Sequence, residues 1–139
     1  MSKLLDGVNH IAVLTKDADR FIRFYTEAFD AEVVADNPNH GGNPGERMVV
    51  MNLGGPSQFN VFQVPGNSQA EVQTPMYGRG RIDHFGLNAS SREHLEEIRQ
   101  RLIRLGASDG TITDFGRALS VFFRDPDGLE AEVLWIKSA

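Results

Sequence analysis

Gly7-Val8-Asn9-His10-Ile11-Ala12-Val13 comes back later in the chain as Arg81-Ile82-Asp83-His84-Phe85-Gly86-Leu87. In both copies an amide or acid residue precedes the histidine, apolar residues flank the pair, and a helix-like segment follows. A unit that recurs in this way points to a duplicated architecture. Each run is short and apolar enough to read as a buried strand. Side chains alternate along a strand, so His10 shares a face with Val8 and Ala12, while Ile11 and Val13 point the other way.

Outward from the first run, Asp17 is placed to cap a helix beginning near Ala18, and Phe21, Phe24, Tyr25, Ala28 and Phe29 recur at spacings of three and four. That stripe is expected to pack on the face carrying Ile11 and Val13. A strand at about 31–35 leads into a polar, Gly- and Pro-rich stretch at 36–45, read as a loop and a candidate lid. Segments at 46–53 and 58–64 read as a hairpin turning at Gly54-Gly55-Pro56-Ser57. After a second polar stretch the pattern restarts. The strand around His84 is followed by Ser90-Ser91-Arg92-Glu93 at capping-box spacing, and by Leu95, Ile98, Leu102 and Leu105 on a helix that Gly106 stops. A short strand at 111–113 precedes a pair at 117–124 and 129–136, joined by the turn signal Asp125-Pro126-Asp127-Gly128.

Each half therefore reads strand, helix, three strands. The expectation is one α+β domain over 1–139, with module one at about 5–66, a linker at about 67–79 and module two at about 80–137.

A chain of 139 residues carries a real core without disulfides or structural metals. With no cysteine, it has neither thiolate metal ligands nor a cysteine nucleophile. The formal charge of -5 argues against an electrostatic grip on nucleic acid or acidic membranes, since both need a cationic face. The N-terminal stretch from Met1 to Asp6 has no signal-peptide core, and no apolar run is long enough to cross a bilayer. A cytoplasmic protein acting on a small molecule is the expectation.

In the last strand, alternation sets Glu130, Glu132 and Leu134 on one face and Ala131, Val133 and Trp135 on the other. Two strand histidines and a carboxylate on rigid strands suit a divalent first-row metal such as Fe(II), Mn(II), Ni(II) or Zn(II). Arg47 and Arg117 stand at corresponding starts of the third strand of each module and are candidates to receive an anionic substrate. Ser57 and Ser120 lack a histidine and acid at triad spacing, and the glycines match no phosphate-loop or dinucleotide fingerprint.

Val8-Asn9-His10-Ile11-Ala12-Val13, Ile82-Asp83-His84-Phe85-Gly86-Leu87 and the segment Phe122 to Val133, with its Asp-Pro-Asp-Gly turn, together resemble the vicinal oxygen chelate superfamily. This is the group of glyoxalase I, bleomycin-resistance proteins, fosfomycin-resistance transferases, methylmalonyl-CoA epimerases and extradiol dioxygenases. The resemblance implies paired βαβββ modules forming a curved eight-stranded mixed sheet around a cleft, and a homodimer. It implies His10, His84 and Glu132 as metal ligands, Glu132 being the carboxylate four positions after the glycine of the turn. A fourth ligand, where the family has one, would fall on Asn60, with Gln58 on the same face lining the pocket.

Asparagine does not move protons, so the isomerase chemistry of the family is weakened, and Glu132 would serve as acid or base only by leaving the metal. For dioxygenase chemistry the spare histidines are His40 and His94. The implied function is a metal-dependent lyase, isomerase or dioxygenase acting on a small molecule with two adjacent oxygens. The alternative is a metal-free protein that sequesters an antibiotic or other toxic small molecule.

Overall fold

The computed structural model describes residues 4–70, 72 and 74–137. Met1, Ser2 and Lys3 of the N-terminal stretch and positions 71 and 73 of the expected linker lie outside the described residues. The chain divides into two units, Met1–Glu71 and Val72–Ala139.

Unit one contains β1 (His10–Thr15), α1 (Ala18–Phe29), β2 (Glu32–Pro38), β3 (Arg47–Asn52) and β4 (Gln58–Gln63), with a single 3-10 turn at His40–Gly42. The sheet order is β1-β4-β3-β2, with β1 parallel to β4 and the other pairs antiparallel. Helix α1 starts where the sequence says it should: Asp17 is extended, and its Oδ1 accepts the Arg20 N–H at 3.1 Å. Its buried stripe of Phe21, Phe24, Tyr25 and Ala28 lies on Val49, Met51, Phe59 and Val61 of the sheet. Phe59 is the centre of that packing, with ring centroids 5.5 Å from Phe21 and 4.8 Å from Tyr25, both edge-on.

Unit two contains β5 (Phe85–Asn88), α2 (Arg92–Arg104), β6 (Ile112–Asp114), β7 (Ala118–Arg124) and β8 (Glu130–Ile136). Its order, β5-β8-β7-β6, repeats that of unit one, again with the first strand parallel to the last. Ser91 caps α2 by accepting the His94 N–H at 3.0 Å, and Gly106 at φ 70 follows its last turn. The expected α+β fold is thus present. Among the described residues its eight strands are hydrogen-bonded as two four-stranded mixed sheets, each with its own ladder, and not as one eight-stranded ladder.

The strand expected at 31–35 runs on as Glu32–Pro38, pairing Asp36, Asn37 and Pro38 with Val49, Met48 and Arg47. Proline ends many strands because it lacks an N–H, but β2 is an edge, so Pro38 costs no ladder bond on its open side. The polar run at 36–45 is therefore strand first, and its loop begins only at Asn39.

Candidate functional site

The register decides which side chains share a face. In unit one His10 lies beside Gln58, and Gln58 beside Asn52; in the next row Ala12, Asn60 and Val50 are neighbours. This face, opposite the one covered by α1, therefore carries His10, Gln58, Asn60 and Asn52 together. The His10 imidazole is oriented by the residue before it, with Nδ1 2.8 Å from Asn9 Oδ1. An amide oxygen accepts only, so in this bond Nδ1 is the donor, and the bond does not engage Nε2.

Unit two repeats the device with a stronger acceptor. His84 Nδ1 lies 2.7 Å from Asp83 Oδ2, and the other Asp83 oxygen accepts the backbone N–H of Tyr77. These bonds, that to His84 first, hold the Asp83 carboxyl below its ordinary pKa. The His84 ring stands 5.8 Å from that of Phe122. The register pairs Gly86 with Glu132 and Glu132 with Phe122, so Glu132 lies on this face between them. Its Oε2 accepts from Ser120 Oγ at 3.0 Å, and it has no cationic partner among the described residues.

Glu130 has a different environment. Its Oε2 receives Arg79 Nη2 at 2.8 Å and Arg124 Nη2 at 3.2 Å, so its charge is matched by two guanidinium groups. The Asp-Pro-Asp-Gly turn sets both glutamates. Asp125 Oδ1 accepts the N–H groups of Asp127 and Leu129 at 3.0 and 2.9 Å, closing the β7–β8 hairpin in the register that places Glu132 across from Phe122 and Glu130 across from Arg124.

The structure thus gathers His10, Gln58 and Asn60 on one face of unit one, and His84 and Glu132 on one face of unit two. Among the described residues no group of three or more His, Cys, Asp or Glu side chains is placed to hold a metal ion. The donor chemistry nonetheless fits one: imidazoles held at Nδ1 by an oxygen acceptor and a carboxylate without a cationic partner among the described residues are residue types that ligate first-row ions.

Arg47 points to the other face, toward α1, where it binds Asp36 with both oxygens (2.9 and 2.7 Å) and Asp19 at 2.9 Å. The two carboxylates, Asp36 first, hold its guanidinium charged even more firmly than usual. Arg117 is exposed, one residue ahead of β7. His94 is exposed on α2 and takes part in a hydrogen bond with Ser90. His40 is half-buried, its ring 5.8 Å from that of Phe62, which belongs to the same face as Asn60.

Sequence reasoning passed over the groups that orient the histidines. The repeated Asn-His and Asp-His pairs were visible as a pattern; what they do, binding Nδ1, appears only with the side chains in place. Arg79 reads from sequence only as a cation open to an anionic substrate; its pairing with Glu130, and the place of Gly86 opposite Glu132, depend on the β5–β8 register.

The Glyoxalase/Bleomycin resistance protein/Dioxygenase superfamily model matches residues 7–133. Among solved structures, a glyoxylase/bleomycin resistance protein/dioxygenase domain from Frankia sp. EAN1pec is similar, with a TM-score of 0.79, 21% identity and coverage of 96% of this chain and 99% of that one. A mutant of the fosfomycin resistance protein FosX from Listeria monocytogenes, in complex with Mn(II) and 1S,2S-dihydroxypropylphosphonic acid, gives 0.69 at 19% identity, covering 96% and 95%. Lactoylglutathione lyase from Agrobacterium tumefaciens gives 0.67 at 23%, covering 94% of each chain. At these identities the likeness is one of fold. No curated protein matches by sequence. With the family model spanning both modules, the chain belongs to the Glyoxalase/Bleomycin resistance protein/Dioxygenase superfamily.

Proposed function

We propose that this protein is a metal-dependent enzyme of the glyoxalase or dioxygenase type, acting on a small molecule that offers two adjacent oxygens. His10, His84 and Glu132 would hold the ion, and Gln58 and Asn60 would bind substrate. The observation that carries this reading is the paired orientation of the histidines. Each has Nδ1 tied to the side-chain oxygen of the preceding residue, which leaves Nε2 as a donor in both modules. That FosX is a fosfomycin resistance protein seen with Mn(II), and that lactoylglutathione lyase is an enzyme by name, supports it by analogy.

When bound, a divalent ion supplies Lewis acidity toward the paired substrate oxygens. The chain's own residues do the rest. Asn9 and Asp83 hold Nδ1 of each imidazole and so aim the rings. Ser120 occupies one oxygen of Glu132 and leaves Oε1 as the donor. The amides of Gln58 and Asn60 offer both donors and acceptors for orienting a polar substrate, and neither transfers a proton. Arg47, bonded to Asp36 and Asp19, serves the helix–sheet joint, and Arg117 remains the candidate for contact with an anionic substrate. We propose a homodimer, to be checked by light scattering for two copies per particle.

The test is metal content. Protein purified without chelator should carry about one first-row divalent ion per chain, and His10→Ala, His84→Ala and Glu132→Ala should each lose it while keeping the wild-type circular dichroism spectrum. Equally negligible metal in all four proteins would sink the reading. Stoichiometric capture of a toxic ligand by metal-free protein would establish the sequestering alternative in its place.

A further inference from the structure

Two carboxylates of β8, not one, stand on the face of unit two that carries Gly86. The β5–β8 register pairs Phe85 with Ala131 and Gly86 with Glu132. Continued one step back, it sets His84 beside Glu130, on the same face. Glu130 and Glu132 thus share one face, Glu130 nearer the end of the ladder from which His84 enters β5, and the two lie about 7 Å apart along β8. Nothing in their chemistry as donors distinguishes them. Their cations do.

We infer that Arg79, with Arg124, is the positioning residue that keeps Glu130 out of the donor set and so leaves Glu132 as the single carboxylate of the centre. Arg79 is only 14% exposed and is anchored from the segment leading into β5: its Nε donates to Thr74 O at 2.6 Å, its Nη1 to Asp83 Oδ2 at 3.4 Å, and its Nη2 to Glu130 Oε2 at 2.8 Å. Arg124 reaches the same oxygen with Nε at 3.3 Å and Nη2 at 3.2 Å. A carboxylate that is 15% exposed and bonded by two guanidinium groups must break charge-assisted bonds before it can ligate. Glu132 has only the Ser120 hydroxyl to release. The same guanidinium touches the carboxylate that orients His84, so one side chain both steadies a donor and removes a competitor.

This inference rests on the metal-dependent reading but is tested separately from it. Co(II) is titrated into chelator-treated full-length protein and followed by visible absorption, whose band positions and intensities report coordination. Arg79→Ala with Arg124→Ala should bind Co(II) about tenfold tighter than wild type, with an altered spectrum, as Glu130 enters the shell. Adding Glu130→Gln to that pair should restore the wild-type affinity and spectrum. Glu130→Gln alone and Arg79→Lys, which keeps a cation on Glu130, should both match wild type; a merely architectural role for the planar fork would not be rescued by lysine. Should the alanine pair fail to fold, Arg79→Gln with Arg124→Gln is read by the same criteria. An unchanged spectrum in the double variant, or a change that survives Glu130→Gln, overturns the inference. If wild-type protein binds no Co(II), the metal-dependent reading falls, yet a gain of Co(II) binding in the double variant that Glu130→Gln abolishes still supports the role of Arg79, and no gain overturns it.

Discussion

Asp83 Oδ2 lies 2.7 Å from His84 Nδ1, and one module earlier Asn9 Oδ1 lies 2.8 Å from His10 Nδ1. The duplication has thus kept an acceptor at the position before each histidine while changing its charge. Oxygen acceptors on the far ring nitrogen are known to be worth 10–100-fold in metal affinity, because they fix the tautomer and raise the basicity of the ligating nitrogen. Asp83→Ala and Asn9→Ala are expected to weaken Co(II) binding by about that range, the Asp83 change more. Asp83→Asn, which recreates the arrangement of module one, should lose only a few-fold. Equal affinities in all three variants and wild type would show that the pairs are incidental.

Much of the architecture could be read from residue pattern alone, and the reasons are local. Asp17 and Ser91 announce their helices because a short side-chain oxygen is needed where backbone N–H groups have no partner. The aromatic stripe on α1 has one partner surface, centred on Phe59. Alternation likewise placed Gln58 and Asn60 on one face, as the register shows. What could not be read was which way a strand-end charge turns. Arg47 begins β3 and pairs with Gln63, on the α1 side, where Asp19 and Asp36 receive it. Neither partner is near in sequence. The role of Arg79 was hidden for the same reason, since Glu130 is brought to it only by the pairing of β5 with β8.

The Arg47 joint is expected to show in the acid limb of stability. Its hydrogen bonds to Asp36, and after them its charge, hold that carboxyl below its ordinary value of 3.8, against a smaller opposing effect of burial. A depressed folded-state pKa contributes stability above the unfolded value, lost as pH falls through the folded one. Asp36 is 41% exposed, so solvent screening keeps the contribution to about 0.5–1 kcal/mol. Asp36→Asn should be less stable than wild type by that amount from pH 7 down to about pH 5, and the gap should close below about pH 4. Urea unfolding at pH 7 and pH 3 measures it. A gap that stays constant or widens in acid would refute the assignment.

Gly110 offers a test of backbone conformation. It sits at φ 78 between α2 and β6, its carbonyl accepting Arg99 Nε at 2.6 Å. A Cβ there would stand 2.5 Å from Ile103 Cδ1 and 2.9 Å from its Cγ1, both on a side chain that is 37% exposed and has room to change rotamer. The left-handed backbone has no such escape and costs a non-glycine residue about 1–2 kcal/mol. Gly110→Ala should therefore destabilise by about that amount, and Ile103→Ala should recover little of it. Full recovery in the double variant would show that crowding, and not φ, requires the glycine.

Gly86 poses the opposite case. No positive φ requires glycine at this position, and the constraint comes from its neighbour across the ladder, Glu132. A Cβ on Gly86 would lie 3.3 Å from Leu134 Cδ2, 3.5 Å from Glu132 Cγ and 3.6 Å from Glu132 Oε1. The last two are ordinary contacts, and the first asks Leu134 to give by a few tenths of an ångström. Module one already carries a Cβ at the equivalent register, where Ala12 faces Asn60. Gly86→Ala should therefore fold normally and bind Co(II) within a few-fold of wild type. Valine adds two methyl groups beyond that Cβ, where the side chains of Leu134 and Glu132 are its neighbours, while its β-branched side chain suits the strand. Gly86→Val should keep the fold and its melting temperature but lose at least about tenfold in Co(II) affinity as Glu132 is pushed aside. If Gly86→Val bound Co(II) as wild type does, Glu132 would not be the carboxylate that holds the ion.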